Sequence, residues 1–121
     1  MVIDDDRQFC TLMKKMLELD GYEVAAVSEM AEAWKRLEHE LPDVICCDIK
    51  MQGASGLDLL SHRVEIDGLA NVPIVTISGN YSQASQVQAV DLGAFAYLTK
   101  PFKPSELRTV IQSALASSTP A

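Results

Sequence analysis

The chain has 121 residues, a formal net charge of −7, 48% hydrophobic residues and 22% charged residues. This length favours a single domain, and the composition is typical of a globular protein rather than a disordered one. Because its negative charge would repel phosphates, we expect this domain to bind no nucleic acid. No apolar run is long enough for a membrane helix, which predicts no membrane partner.

The three cysteines, Cys10, Cys46 and Cys47, contain no CxxC pair, and an odd number does not suggest a disulfide framework. Cys46 and Cys47 are adjacent, so on a strand they would face opposite sides of the sheet. Buried, reduced thiols are the simplest interpretation. Since an acidic run near residue 4 also argues against a signal peptide, we expect a cytoplasmic protein.

The first part of the chain predicts two strands, each followed by a helix. A short apolar run at residues 1–3 precedes the acids, and Gly21 is placed to end the first helix. Residues 23–27 predict a second strand, and Ser28 is a candidate N-cap for the second helix. Apolar residues at helical spacing mark the two helices: Phe9, Leu12, Met13, Met16 and Leu17, then Met30, Ala33, Trp34 and Leu37.

The rest of the chain repeats this alternation three times. Continuous apolar runs at residues 44–47 and 74–77 suit strands buried on both faces, and residues 96–99 predict a fifth strand. A weaker helix is expected from Ser82 to Leu92, before Gly93, and Pro104 suits the first position of the last helix. The third and fifth helices are marked by Leu57, Leu60 and Val64, and by Leu107, Val110, Ile111, Ala114 and Leu115. Residues 117–121 are expected to form a frayed tail.

Five strand–helix units in succession predict an α/β domain over residues 1–121, with a parallel five-stranded sheet wound doubly by helices on both faces. In such sheets, ligands bind outside the carboxyl ends of the strands. Polar side chains follow four of the predicted strands at that edge: Asp4 to Asp6 after the first, Asp48 after the third, Ser78 after the fourth and Lys100 after the fifth.

The chemistry of these side chains suggests a phosphoryl acceptor. Two carboxylates about 4 Å apart repel each other by roughly 1–4 kcal/mol, so a cluster of acids needs a cation or a raised pKa. A hard divalent ion such as Mg²⁺ suits carboxylate oxygens. With that charge balanced, Asp48 could act as a nucleophile and form an acyl phosphate, while Lys100 and Ser78 contact phosphoryl oxygens.

Together these motifs resemble the response regulator receiver domain of two-component phosphorelays, over essentially the whole chain. The resemblance rests on the acids of VIDDD, the Asp of CCDIKM, Gly56-Leu57, Ser78-Gly79 and the segment YLTKPF. It implies the flavodoxin-like strand order 2-1-3-4-5 and a cis peptide bond between Lys100 and Pro101.

The resemblance also implies a role for each site residue. Asp48 matches the phosphoacceptor, Ser78 the switch hydroxyl, Tyr97 the aromatic ring that follows the switch, and Lys100 the site lysine. Metal binding, by Mg²⁺ or Mn²⁺, falls to Asp5 and Asp48, to the backbone carbonyl of Lys50, and to Asp4 through water. Lys50 and Asn80 match positions that flank the phosphoryl group and tune its lifetime. From the residues themselves, Asp6 is a supporting acid, Tyr97 is also a packing residue, and His39 and His62 are solvated.

Four positions depart from the family pattern. Gln52 stands where proline is usual, which predicts a looser loop after Asp48, and Ser55 stands where an acid is common. Phe95-Ala96 replaces an acidic pair found in many family members with winged-helix effectors, which puts their charged dimer contacts in doubt.

By resemblance, the function is a signalling switch rather than an enzyme, with self-phosphorylation and slow autodephosphorylation as its own chemistry. The implied partners are a histidine kinase or histidine phosphotransfer protein, an effector domain or downstream protein, and a possible phosphorylation-dependent dimer. Two alternatives stay open. A metal-dependent phosphatase would have a second Asp where Lys50 stands, and a receiver-like or flavodoxin-like binding module would work without phosphorylation.

Overall fold

The computed structural model describes residues 1–51, 53–79 and 83–117. Five parallel strands form one sheet in the order β2-β1-β3-β4-β5, which confirms the predicted topology. The strands are β1 (Val2–Ile3), β2 (Ala26–Val27), β3 (Ile45–Asp48), β4 (Ile74–Ser78) and β5 (Ala96–Thr99).

Helices connect the strands and lie on both faces of the sheet. They are α1 (Arg7–Leu19), α2 (Met30–His39), α3 (Gly56–His62), α4 (Gln83–Asp91) and α5 (Pro104–Ser117), with short 3₁₀ turns at Arg63–Glu65 and Leu69–Asn71. Within the described ranges, none of these helices is both long enough and apolar enough to cross a membrane.

The sheet separates two cores, because successive residues of a strand point to opposite faces. In β1, Val2 packs with the cluster of α1 and α5, whereas Ile3 packs with the cluster of α2, α3 and α4. Cys46 and Cys47 divide in the same way, as their adjacency predicted. All three cysteines are buried and free.

Local sequence signals set the ends of α1. Asp6 is the N-cap, and its carboxylate accepts hydrogen bonds from the backbone N–H groups of Gln8 (3.0 Å) and Phe9 (3.2 Å). At the other end Asp20 is the C-cap and Gly21 follows with φ 94°. The N–H groups of Gly21 and Tyr22 donate back into the last turn, which is the bonding pattern of a Schellman motif.

Two local predictions for the β2–α2 region are wrong. α2 begins at Met30 with Glu29 as its N-cap, and no side chain caps it, so Ser28 does not have the predicted role. β2 covers only Ala26–Val27 of the five residues expected, because β2 pairs only with β1, where its two residues match Val2 and Ile3.

The helical stripes are confirmed in α2 and α5 but only in part in α1 and α3. Leu12 is 53% exposed, and Val64 is 74% exposed because α3 ends at His62 and a 3₁₀ turn follows. α4 begins at Gln83 and ends at Asp91, one residue before the predicted Leu92. Pro104 does begin α5, whereas Ser117 is its last residue rather than part of a frayed tail. Ser82 and residues 118–121 lie outside the described residues.

Candidate functional site

Three of the predicted site residues stand at the ends of neighbouring strands. Asp48 is the last residue of β3, and Ser78 is the last residue of β4. Ser78 lies opposite Thr99 in the register, and its carbonyl accepts a hydrogen bond from the N–H of Lys100 at 2.8 Å. The parallel register therefore brings these side chains to one edge of the sheet, as the sequence predicted.

Three carboxylates converge at this edge. Asp4, Asp5 and Asp48 each offer an oxygen, and these oxygens lie within 4.8 Å of one another. Asp4 is 1% exposed and Asp48 8% exposed, whereas Asp5 is exposed. Buried carboxylates this close repel one another, and hard oxygen donors are the ligands that Mg²⁺ and Mn²⁺ take in proteins. The donor set therefore fits a divalent metal.

Lys100 supplies positive charge to this cluster. Its Nζ lies 2.8 Å from Asp4 Oδ2 and 3.6 Å from Asp48 Oδ2. The other oxygen of Asp4 accepts the backbone N–H of Asp6 at 2.9 Å. Both Asp4 oxygens therefore have partners, which suits an indirect rather than a direct part in metal binding. The peptide bond between Lys100 and Pro101 is cis.

The surroundings of Asp48 disfavour its negative charge unless a cation is close. Burial and the neighbouring Asp4 raise the pKa of the Asp48 carboxyl, while Lys100 and the hydrogen bond from Lys50 N–H (3.2 Å, to Oδ1) act against that rise. Burial lowers the pKa of Lys100, but its bond to Asp4 and the charge of Asp48 outweigh this and raise its pKa overall.

The loop after Asp48 has strand pairing on both sides of Gln52, and a looser loop stays a prediction. Lys50–Met51 and Ala54–Ser55 pair as a short antiparallel hairpin, although Gln52 itself lies outside the described residues. Ser55 replaces the usual acid but serves as the N-cap of α3, because its hydroxyl accepts the N–H of Leu57 at 3.1 Å. Ser and Asp are both strong N-cap residues, so this departure preserves the helix start.

Gly56 packs directly against the backbone of Asp48. A Cβ at this position would lie 2.4 Å from the Asp48 carbonyl oxygen and 3.1 Å from Cys47 Sγ. Its N–H donates to the carbonyl of Ile49 at 2.8 Å. The sequence singled out Gly56 only as part of a family motif, and the physical reason for glycine is this close contact.

Most of the remaining predicted residues have clear places. Tyr97 is half-buried against the core of α2, α3 and α4, so its packing role is confirmed. Asp6 caps α1. His39 and His62 are both exposed, and Trp34 packs against the core. Asn80 lies outside the described residues.

Two aromatic residues at the site were missed as site residues. The Lys100 ammonium lies 4.1 Å from the centroid of the Phe9 ring, and Phe102 meets that ring edge-on with centroids 6.0 Å apart. Phe9 looked like a core residue on a helical stripe. The available signal was its place in the first turn after the acids, with Phe102 directly after Lys100-Pro101.

The thiols are not part of this chemistry. Burial raises the pKa of Cys46 to about 11 and that of Cys47 further, so both stay protonated at neutral pH. Cys10 donates its S–H to the carbonyl of Asp4 at 3.2 Å, and burial raises its pKa as well. A reactive cysteine needs a lowered pKa, so these residues are structural.

Comparison with known proteins agrees with this fold. The sequence model of the family described as "Response regulator receiver domain" matches residues 1–112. The transcriptional regulatory protein KdpE of Staphylococcus aureus is 35% identical over 112 residues, which cover 93% of this chain and 47% of that protein. The chain thus spans about half the length of this curated relative.

Solved structures show the same arrangement. A CheY-like receiver domain protein from Methanospirillum hungatei JF-1 superposes with a TM-score of 0.87 at 28% identity, over 97% of this chain and 92% of that one. The receiver domain of sensor histidine kinase PA1611 from Pseudomonas aeruginosa PAO1 gives a TM-score of 0.85 at 25% identity, over 95% and 94%. That structure has a magnesium ion coordinated in its active site cleft.

The chain belongs to the response regulator receiver domain family. Members of this family are phosphorylation-activated switches of two-component systems, and this chain is therefore a signalling domain.

Proposed function

We propose that this domain accepts a phosphoryl group on Asp48 and relays that event as a change in its surface. The observation that carries the proposal is the position of the Asp48 carboxylate: it ends β3, next to Asp4 and Asp5 and within 3.6 Å of the Lys100 ammonium. Asp48 can be the nucleophile, while Lys100 and a metal held by the acids balance the negative charge.

A divalent metal belongs to this proposal. Asp5 and Asp48 would hold it directly, Asp4 through water, and Lys50 through its backbone carbonyl. The Lys50 N–H faces the Asp48 carboxylate, and in extended backbone the N–H and C=O of a residue point to the same side. When bound, Mg²⁺ or Mn²⁺ would neutralise the carboxylates and one phosphoryl oxygen.

The chain's own residues then have separate tasks. A carboxylate oxygen of Asp48 attacks phosphorus, the P–N bond of a phosphohistidine donor breaks, and the electron pair stays on the imidazole nitrogen. Lys100 pivots from Asp4 toward the new acyl phosphate and pairs with one oxygen, while the Ser78 hydroxyl donates to another. Hydrolysis of the acyl phosphate by water, slow and unaided by a partner, returns the domain to rest.

The switch follows from Ser78 and Tyr97. Ser78 lies on β4 and Tyr97 on the adjacent strand β5, which contacts α4. An inward shift of Ser78 would let Tyr97 change rotamer. The surface of α4, β5 and α5 would then favour different partners, which is a shift between two populations. We propose a histidine kinase or phosphotransfer protein as donor, and an effector domain, a downstream protein or a second copy as the receiver of the signal. A cytoplasmic location remains a prediction.

The direct test is incubation with acetyl phosphate and Mg²⁺, followed by intact mass and peptide mapping. We expect one phosphoryl adduct on Asp48 when Mg²⁺ is present. No adduct should form when EDTA is added before acetyl phosphate. Asp48→Asn should form no adduct above background, because an amide is not a nucleophile here. Asp58→Asn, an exposed acid in the first turn of α3, is the matched control and should label like the wild type.

Unchanged labelling of Asp48→Asn would contradict the assignment of the acceptor. Metal binding without any adduct would favour a binding module that works without phosphorylation, and repeated turnover of phosphomonoesters would favour a phosphatase.

A further inference from the structure

We propose that Phe9 is a positioning residue for phosphoryl transfer, which holds the Lys100 ammonium against the acid cluster through a cation–π contact. This inference rests on the proposed function of Asp48 and Lys100 and adds a residue to it.

The geometry around Lys100 gives its ammonium three partners. Asp4 and Asp48 approach from the sheet, at 2.8 and 3.6 Å, and the Phe9 ring lies 4.1 Å from Nζ to its centroid. The Lys100 side chain is 26% exposed, so without a third contact it could turn toward water. A cation within about 6 Å of a ring face is attracted by the negative charge on that face.

The ring itself is held in place. The N–H of Phe9 is bonded to the N-cap Asp6, which fixes the first turn of α1. Phe102 packs its ring edge-to-face at an interplanar angle of 88°, and both rings pack against the core of α1 and α5. Phe9 and Phe102 come from opposite ends of the chain, so they close around Lys100 only in the folded domain.

The contact with Phe9 matters because the Lys100 ammonium has to move from Asp4 toward Asp48 without turning out into solvent. To meet a phosphoryl group on Asp48, the ammonium needs only a small pivot from Asp4 toward Asp48, since both oxygens are already within 4 Å. A ring on the open side permits that pivot while disfavouring conformations in which the lysine faces solvent. Phe9 therefore increases the fraction of molecules in which Lys100 is ready to stabilise the transferring phosphoryl group.

The test compares Phe9→Leu, which keeps an apolar side chain but has no ring, with Phe9→Tyr, which keeps the ring. With acetyl phosphate and Mg²⁺, Phe9→Leu should be phosphorylated roughly three- to tenfold more slowly, as expected for loss of one such contact. Phe9→Tyr should restore the rate. Phe95→Leu removes a 39% exposed ring at the opposite end of β5 from Lys100 and should leave the rate unchanged.

A second readout does not depend on phosphorylation. In NMR spectra, the ε-methylene protons of Lys100 should be shifted upfield by the Phe9 ring, and this shift should vanish in Phe9→Leu and persist in Phe9→Tyr. Equal rates for wild type and Phe9→Leu, a Phe9→Tyr variant as slow as Phe9→Leu, or an unshifted Lys100 signal in the wild type would each overturn the role of Phe9. If the wild type accepts no phosphoryl group, the proposed function fails, and the NMR comparison still decides the contact between Phe9 and Lys100.

Discussion

β3 begins and ends in different surroundings. Ile45, at its start, is fully buried in the core of α2, α3 and α4, whereas Asp48, three residues later, is 8% exposed beside two other carboxylates. Burial of an isoleucine side chain stabilises a fold by roughly 1.5–3 kcal/mol, but a buried carboxylate near like charges opposes folding. The start of β3 thus provides stability that offsets the cost of burying a carboxylate at its end.

The largest expected effect comes from truncation at the stable end. Ile45→Ala should lower the free energy of unfolding by roughly 2–5 kcal/mol, because it leaves a cavity in a close-packed core. Urea denaturation followed by circular dichroism would measure it. At temperatures where the variant stays folded, Asp48 should still be phosphorylated, since no site residue changes. A loss below about 1 kcal/mol would show that this end of β3 does not carry the stability.

The next largest effect is expected at Gly56, which packs against Asp48 at the carboxyl edge of the sheet. Gly56→Ala should lower the free energy of unfolding by roughly 3 kcal/mol. Its Cβ would lie 2.4 Å from the Asp48 carbonyl oxygen and force the backbone to move. It should also slow phosphorylation by displacing Asp48.

The control is Gly53→Ala in the neighbouring hairpin. Gly53 has φ +69°, and among the described residues outside its chain neighbours no atom would lie within 4 Å of a Cβ there, so only backbone strain of about 1 kcal/mol is expected. Similar losses for the two variants in urea denaturation would mean that contact with Asp48 is not the reason for Gly56.

The smallest effect concerns pH. The folded-state pKa of Asp48 is raised, so its protonated form favours folding: that contribution is complete below the unfolded pKa and is lost as pH rises through the folded value. In metal-free buffer, Asp48→Asn should therefore be more stable than the wild type at neutral pH. The difference should disappear as the pH falls below 3.8, the ordinary pKa of an aspartate carboxyl. Thermal melts in EDTA across this range would measure the difference. An Asp48→Asn variant less stable than the wild type at pH 7 would contradict this prediction.

Much of the fold followed from local patterns. Buried apolar runs predict strands wherever side chains must be apolar on both faces, and alternation with helices then leaves few parallel topologies. The capping of α1 by Asp6 and its end at Gly21 depend on near neighbours alone. Weaker predictions failed where a distant partner decides: β2 is short because its pairing is set by β1, and Leu12 is exposed because only part of its helical stripe meets the sheet.

The sequence by itself determined which chemical groups the carboxyl edge carries, because a polar residue directly after a buried strand must emerge at that edge of the sheet. Only the tertiary structure decided how those groups pair. Lys100 meets Asp4 more closely than Asp48, Gly56 packs on the carbonyl of Asp48, and Phe9 covers the ammonium. These contacts join residues far apart in the chain, and their distances depend on helix placement and side-chain rotamers that no local pattern specifies.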